Sequence, residues 1–287
     1  MSAVPVAERV PRERAVSRLW AFVKRNVLTV YALLAFTYLM LPIAVVIAFS
    51  FNNPAGRFNY TWSGFTFDNW KHWDGVPGLR SAMVLSLEIA FIASLVATAL
   101  GTLIALALVR YGFRGRGATN LLIFLPLSTP EIVLGASLLT LFLNKHVSNI
   151  INLGFTTILI AHVMFCISFA VVTVKARLIG FDRHLEEAAM DLGANEWVTF
   201  RKVTLPLIAP ALLASLLLCF AISIDDFVVT YFNNGPEITF PLFVWGAARV
   251  GAPPQVNVIG SVIFLVAVTV MVSNVLVQIR RERSATV

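Results

Sequence analysis

A long polar interruption between two strongly apolar segments of the chain is FDRHLEEAAMDLGANEWVTFRKVTLP, which runs from Phe181 to Pro206. Its pattern predicts two short amphipathic helices. Asp182 can cap the first, and Gly193 is placed to terminate it. Asn195 can cap the second, which Pro206 is expected to limit. The stretch is therefore predicted to be a structured docking element.

The overall composition indicates an integral membrane protein. Of the 287 residues, 58% are hydrophobic and only 13% are charged, and the mean hydropathy is +0.83. A soluble domain averages about 25% charged residues. The two cysteines, Cys166 and Cys219, lie in apolar runs and behave as small hydrophobes. Because Cys and His are not grouped at metal-ligand spacing, we predict no metal site.

Six apolar stretches are each long enough to cross a bilayer, which takes roughly 20 helical residues. A membrane β-barrel would instead show short alternating segments. We therefore predict an all-α membrane protein with six transmembrane helices. The predicted spans are about 27–50, 82–109, 118–143, 156–174, 207–232 and 256–279.

The positions of the basic residues predict the orientation. Most of the 22 Lys and Arg residues lie in the tail 1–26, in the loops 110–117 and 175–206, and after the last span. Cytoplasmic segments carry this excess. We therefore expect both termini and the loop 180–206 to be cytoplasmic. Residues 27–280, which include this loop, would form a transmembrane domain between the tail 1–26 and a second tail, 281–287. The net charge of +7 is thus explained by the excess of Lys and Arg in the predicted cytoplasmic segments. A nucleic-acid partner is therefore not expected.

Two loops on the opposite side, 51–80 and 233–255, are of a different kind. The first is aromatic and polar, with Trp62, Trp70 and Trp73. Tryptophans suit a membrane–water interface. Interfacial anchoring and contact with an external partner both remain open for these loops.

Several polar residues lie inside the predicted spans. A charge in the bilayer costs several kcal/mol unless it faces the interior of a helix bundle or water. Glu88 in the second span either pairs with another subunit or lines a path. Pro126 and Pro130 predict a break in the third span, so that Glu131 would cap the second half or contact substrate. His162 in the fourth span is interpreted as a hydrogen-bonded packing residue.

The acidic pair Asp225-Asp226 lies in the outer part of the fifth span, followed by Phe227 and Tyr231. Neighbouring helical residues point about 100° apart, so one acid could face a pore while the other caps or pairs with a neighbour. The acids and aromatic rings together make a lining that suits an amine cation, through charge and cation–π attraction.

The chain carries no catalytic or phosphate-binding motif, since G-x-x-x-x-G-K-[ST], G-x-S-x-G and H-E-x-x-H are all absent. Catalytic residues and cofactors are accordingly not expected. Three classes remain: a subunit of a transporter driven by a separate ATPase, a self-sufficient channel or carrier, and a membrane scaffold. A structured cytoplasmic platform favours the first, because a channel or carrier does not need one.

The docking element resembles the EAA loop of bacterial ABC importer permeases. Their pattern E-A-A-x3-G-x9-I-x-L-P is matched from 187 to 206, with Val203 in place of Ile. In that family the loop forms coupling helices that sit in a cleft of the ATPase. The resemblance implies a type I ABC importer permease fold in the bacterial cytoplasmic (inner) membrane. The ATPase-coupling residues it assigns are Glu187, Ala188, Ala189, Gly193, Leu205 and Pro206.

A narrower resemblance concerns the substrate. The segments 223–232, 235–236 and 240–243 are similar to the C-type membrane subunit of spermidine/putrescine permeases. This resemblance implies a homologous partner permease, two copies of an ATPase that binds ATP and Mg, and an extracellular or periplasmic binding protein. Polyamine uptake is therefore the expected function, with Asp225, Asp226, Phe227, Tyr231, Glu88 and Glu131 as the substrate path. The alternatives are an ABC permease for amino-acid-like or metal-complex cargo, and a stand-alone channel or carrier.

Overall fold

The computed structural model describes residues 12–285, and the side chains of 26–270, 272 and 273. Within this range the chain is helical apart from turns, loops and one isolated antiparallel bridge, between Asn52 and Phe65. The prediction of an all-α protein is confirmed for these residues. Two compact units are present, Met1–Trp73 with Pro253–Val287 and Asp74–Ala252.

Thirteen α-helices and one π-helical turn, Phe200–Thr204, make up the described chain. The α-helices are α1 Arg12–Phe49, α2 Asp68–Lys71, α3 Leu79–Arg110, α4 Arg116–Ser128, α5 Glu131–Phe142, α6 Lys145–Ser148, α7 Phe155–Ile179, α8 His184–Asp191, α9 Glu196–Thr199, α10 Leu205–Asp225, α11 Val228–Asn233, α12 Phe240–Val250 and α13 Pro254–Ala285.

Four helical segments are long and apolar enough to cross a membrane: Asn26–Phe49, Leu79–Arg110, Phe155–Ile179 and Glu196–Asp225. The bent pair α4 and α5 makes a fifth if it counts as one span. The predicted span 256–279 begins in α13 and runs beyond the described side chains, so the six-span count stays a prediction.

The predicted tails and loops differ in part from the structure. Residues 1–11 of the N-terminal tail and 286–287 of the C-terminal tail lie outside the described residues, and the remainder of each tail is helical. Part of the predicted outer loop 233–255 is the helix α12, which packs on α3. The backbone N–H of Phe240 at its start donates to Oγ of Ser86 at 2.8 Å.

The core of the second unit lies where α3, α7 and α10 pack together. Small side chains on the buried face of α3 allow the helices to approach closely, as is common where membrane helices meet. These small residues are Ala82, Ser86, Ala90, Ala93, Ser94, Ala97, Thr98, Gly101, Thr102 and Ala105. The thiols of Cys166 and Cys219, both buried, face each other's backbone carbonyl across the contact between α7 and α10.

Gly101 marks the tightest point of this contact, and its replacement by Ala is expected to destabilise the protein. A Cβ at this position would lie 2.5 Å from Cβ of Ala170, with backbone behind it. Overpacking of this kind costs about 1–3 kcal/mol. Thermal unfolding of the purified protein in detergent measures the effect. Gly117→Ala in α4 is the matched control, because a Cβ there meets nothing within 4 Å; an equal loss in both variants would contradict the packing explanation.

In the first unit, the segment after α1 is ordered by asparagine side chains. The amide of Asn52 donates to Oδ1 of Asn59 at 2.6 Å, and Asn69 donates to the carbonyl of Asn52 at 2.8 Å. All three asparagines are buried. These buried hydrogen bonds give the segment a defined structure.

Candidate coupling and transport sites

The first helix of the docking element, α8, ends as its sequence predicts, but its N-cap is Arg183, one residue after the predicted Asp182. Oδ1 of Asp182 accepts the backbone N–H of His184 at 3.0 Å. Gly193 adopts φ +90°, in the left-handed region that favours glycine. Its N–H donates to the carbonyl of Met190 at 2.9 Å. Local sequence signals therefore predict where this helix ends.

The second helix begins at its predicted cap, but the prediction that Pro206 limits it is wrong. Oδ1 of Asn195 accepts the N–H of Val198 at 2.9 Å, and the chain then stays helical from Glu196 to Asp225. A proline lacks the N–H of an α-helical bond and its ring crowds the preceding turn. The five residues before Pro206 form a π turn, which is closed by a bond from Leu205 N–H to the carbonyl at position 200. This turn is wider than an α-helical one, and the extra width accommodates the proline ring.

One face of the docking element is open. The Glu187 side chain is half exposed and lies 3.1 Å from Nδ1 of His184. Ala188 and Gly193 are exposed, and Leu192 is 90% exposed. Leu185, Met190 and Trp197 of the same element are exposed as well, and a group of exposed large apolar side chains is suited to a protein partner.

The opposite face of α8 is anchored to the same unit by Glu186, which is buried. Its carboxylate forms an ion pair with Arg110 at the end of α3 and accepts the hydroxyl of Thr204 in the π turn. Sequence reasoning missed this residue. It lies next to the motif glutamate, but its partner is 76 residues away, and nothing in a single sequence indicates that pairing.

A cavity of about 600 Å³ lies beside this ion pair. Its walls come from the end of α3, from α8, and from α9 with the π turn. Its lining residues are Leu103, Leu106, Arg110, Tyr111, Arg183, Glu186, Glu187, Met190, Glu196, Trp197, Thr199, Phe200 and Thr204. The cavity therefore lies between the docking element and the end of α3.

The predicted fifth span is interrupted at the acidic pair. α10 ends at Asp225, and Asp226 has an extended backbone, with φ −65° and ψ 120°. The Asp226 carboxylate accepts the backbone N–H of Thr230 at 2.8 Å and its hydroxyl at 2.7 Å. Asp225 is exposed. The two acids therefore face different surroundings, as adjacent positions allow.

His162 holds the inner acid. Its Nε2 lies 3.3 Å from Oδ2 of Asp226 and 2.9 Å from the hydroxyl of Thr230. Its Nδ1 lies 2.7 Å from Oγ of Ser223, and the ring is buried. The interpretation of His162 as a hydrogen-bonded packing residue is confirmed. Asp226 is thus satisfied within the chain, and Asp225 is the acid left accessible.

An aromatic row lies next to this break. The ring centroid of Phe227 lies 5.7 Å from that of Tyr231 and 5.3 Å from that of Trp245. The guanidinium of Arg249 lies 4.6 Å from the Trp245 ring centroid. Trp245 lies in the predicted outer loop 233–255. The sequence alone does not show that α12 brings this ring to Phe227. The row shows one cation already bound to an aromatic face.

Glu88 and Glu131 are exposed on this chain. Glu131 begins α5, after a 109° bend from α4, so the predicted break of the third span is confirmed. Among the described side chains, neither acid makes a polar contact with Asp225 or Asp226. The described residues also contain no group of three or more His, Cys, Asp or Glu that could hold a metal.

Comparison with known families places the chain. Residues 97–283 match the family described as binding-protein-dependent transport system inner membrane component. The chain belongs to this family. It is accordingly a multi-pass inner-membrane component of a transport system, consistent with its apolar helices.

Other members of the family resemble it over most of their length. The spermidine/putrescine transport system permease protein PotC of Haemophilus influenzae is 37% identical over 248 residues, or 86% of this chain and 94% of that protein. PotC of Escherichia coli is 38% identical over 84% of this chain and 90% of its own length. The putrescine transport system permease protein PotI of Escherichia coli is 38% identical over 82% and 84%.

Solved structures show the same fold. A chain of a bacterial ABC transporter involved in the import of the acidic polysaccharide alginate matches with a TM-score of 0.68 at 18% identity, covering 92% of this chain and 99% of that one. A chain of an amino acid ABC transporter matches with a TM-score of 0.52, covering 77% and 100%. The fold is that of ABC importer membrane subunits.

Proposed function

We propose that this chain is a membrane subunit of an ABC importer for polyamines and that it forms the substrate path with a second, homologous permease subunit. The observation that carries the proposal is the exposed carboxylate of Asp225, two residues before the aromatic row. This combination of a carboxylate and ring faces suits a flexible polycation, through charge and cation–π attraction. The substrates named for PotC and PotI are polyamines, which agrees with the chemistry of the site.

The proposed topology has six spans, both termini in the cytoplasm and the loop 180–206 on the cytoplasmic side. The domain 27–280 would form the membrane part, with short tails 1–26 and 281–287. The distribution of basic residues supports this orientation. The bent pair α4 and α5 then counts as the third span, and α13 contributes the sixth.

The proposed motor is a cytoplasmic ATPase present in two copies, which binds ATP and Mg, while this chain performs no catalysis. Its contact would be the open face of α8 and α9, where Glu187, Ala188 and Gly193 are exposed. A substrate-binding protein would deliver cargo from the other side of the membrane. A related alginate transporter is known in complex with its substrate-bound periplasmic protein, which supports such a partner.

We expect polyamine uptake by proteoliposomes that contain both permeases, the ATPase and the binding protein to stop when the ATPase is omitted. The physical reason is that this chain has no phosphate-binding loop of its own. Uptake of labelled spermidine and putrescine, with and without internal ATP, measures this. Persistent uptake without the ATPase would identify a channel or carrier. Binding of an amino acid or a metal complex by the cognate binding protein would replace polyamines as cargo.

A further inference from the structure

One buried carboxylate joins three elements at the inner end of the second unit. Glu186 of α8 pairs with Arg110, the last residue of α3, and accepts the hydroxyl of Thr204 in the π turn that leads into α10. The Arg110 and Glu186 side chains are only 18% and 7% exposed. The docking element is thus fixed to two helices, and the ion pair joins it to the end of α3.

The pairing fixes orientation as well as position. Both terminal guanidinium nitrogens of Arg110 contact the carboxylate of Glu186, Nη1 with Oε2 and Nη2 with Oε1. Such a bidentate pair is planar and directional, unlike a contact between point charges. The Phe181 ring lies 5.6 Å from the guanidinium carbon and shields it. A partly buried pair of this kind resists dissociation, because either charge alone would be left desolvated.

The neighbouring acid has the opposite setting. Glu187 points outward with 54% of its side chain exposed, and it belongs to the face proposed to contact the ATPase. Glu186 and Glu187 therefore separate two tasks on one short helix: the outer acid is available to a partner, and the inner acid grips the membrane helices of its own chain.

We propose that the Arg110–Glu186 pair is the link through which the docking element moves α3 together with α10. This inference rests on the proposed ABC importer function and deepens it. Motion of α8 reaches α10 through the continuous backbone of the π turn. It reaches the end of α3 through the ion pair, across the cavity of about 600 Å³. Since α3 and α10 also pack on each other, moving one without the other would shear their contact.

The experiment uses the complete transporter in proteoliposomes and measures polyamine transported per ATP hydrolysed. Arg110→Glu and Glu186→Arg each place like charges together, and the double variant Arg110→Glu/Glu186→Arg restores opposite charges. Arg114→Glu is the matched control, since Arg114 is an exposed arginine four residues along the chain. Glu186→Gln and Arg110→Lys are milder variants, which remove the charge or the planar fork.

We expect each reversal to lower transport per ATP at least tenfold while the ATPase still co-purifies in the normal ratio. The double reversal should recover at least a third of the original value, and Arg114→Glu should leave it unchanged. Glu186→Gln and Arg110→Lys should fall between. These two decide the matter if a reversal variant is not recovered in folded form.

Normal transport per ATP in Glu186→Gln and Arg110→Lys, or a double reversal no better than the single ones, would overturn the inference. Its failure differs from failure of the proposed function. In the first case the unmodified complex is ATP-dependent and the variants remain so. In the second, the unmodified chain neither binds the ATPase nor requires ATP.

Discussion

Asp225→Asn is expected to lower polyamine uptake about 10- to 100-fold while leaving assembly intact, because a charge contact in partly polar surroundings is worth a few kcal/mol. Asp225 is exposed and ends α10, so no partner within the described chain depends on it. Initial uptake rates across a range of polyamine concentrations, with complex yield from size-exclusion chromatography, measure the two effects separately.

Asp226→Asn is expected to lower the stability of the protein, whereas Asp225→Asn is expected to lower uptake. Its carboxylate accepts two bonds from Thr230 and lies beside the buried His162. Loss of hydrogen bonds to a charged group costs about 1.5–3 kcal/mol each. This variant should therefore lower the unfolding temperature and the yield. A double variant would mix the two effects, so the single variants are the informative ones.

Two controls accompany this pair. Asp225→Glu keeps the charge and should retain part of the uptake, and Asp74→Asn removes an exposed acid outside α10 and should change nothing. Unchanged uptake in Asp225→Asn would count against a cation path at this position. Full stability of Asp226→Asn would show that the contacts to His162 and Thr230 do not hold the break between α10 and α11.

Gly193→Val is the second variant for which a large loss is expected, in both ATPase association and ATP-driven uptake. At φ +90° the N–H groups of Gly193 and Ala194 close the end of α8 on the carbonyls of Met190 and Ala189, at 2.9 and 3.1 Å. This is the Schellman arrangement. A side chain in this conformation costs about 1–2 kcal/mol, which amounts to roughly five- to thirtyfold.

Gly193→Asn separates two explanations for the glycine. A Cβ at Gly193 meets nothing within 4 Å in this chain, so the internal cost is conformational, and asparagine tolerates the left-handed region. Near-normal association in Gly193→Asn with loss in Gly193→Val would assign the glycine to the turn alone. Loss in both would mean that a partner approaches its backbone, and normal behaviour in both would remove Gly193 from the coupling site.

The parts of the fold that follow from local signals could be predicted from the sequence. The cap at Asn195 and the turn at Gly193 each depend on neighbours within a few residues. The same holds for the break before Glu131, which two prolines announce. The order of apolar helices follows because hydrophobic length is a property of a single segment.

What could not be predicted depends on distant contacts. The break after Asp225 has no glycine or proline to announce it, because the side chain of Asp226 replaces the missing helical bonds. Its partner His162 lies on another helix, as does Arg110, the partner of Glu186. The π turn before Pro206 could not be predicted either, because a helix can respond to a proline in two ways. It can end there, or it can widen into a π turn and continue.

The small-residue face of α3 sets how this protein can change over generations. Gly101 and Ala97 touch neighbours with no space to spare, whereas Leu95 and Leu103 on the same helix are more than half exposed. Exchanges among apolar residues should therefore be tolerated at exposed positions such as Leu95 and Leu103 and rejected at buried positions such as Gly101. Proteins descended from this chain are expected to keep small residues such as Gly, Ala, Ser and Thr along this face of α3.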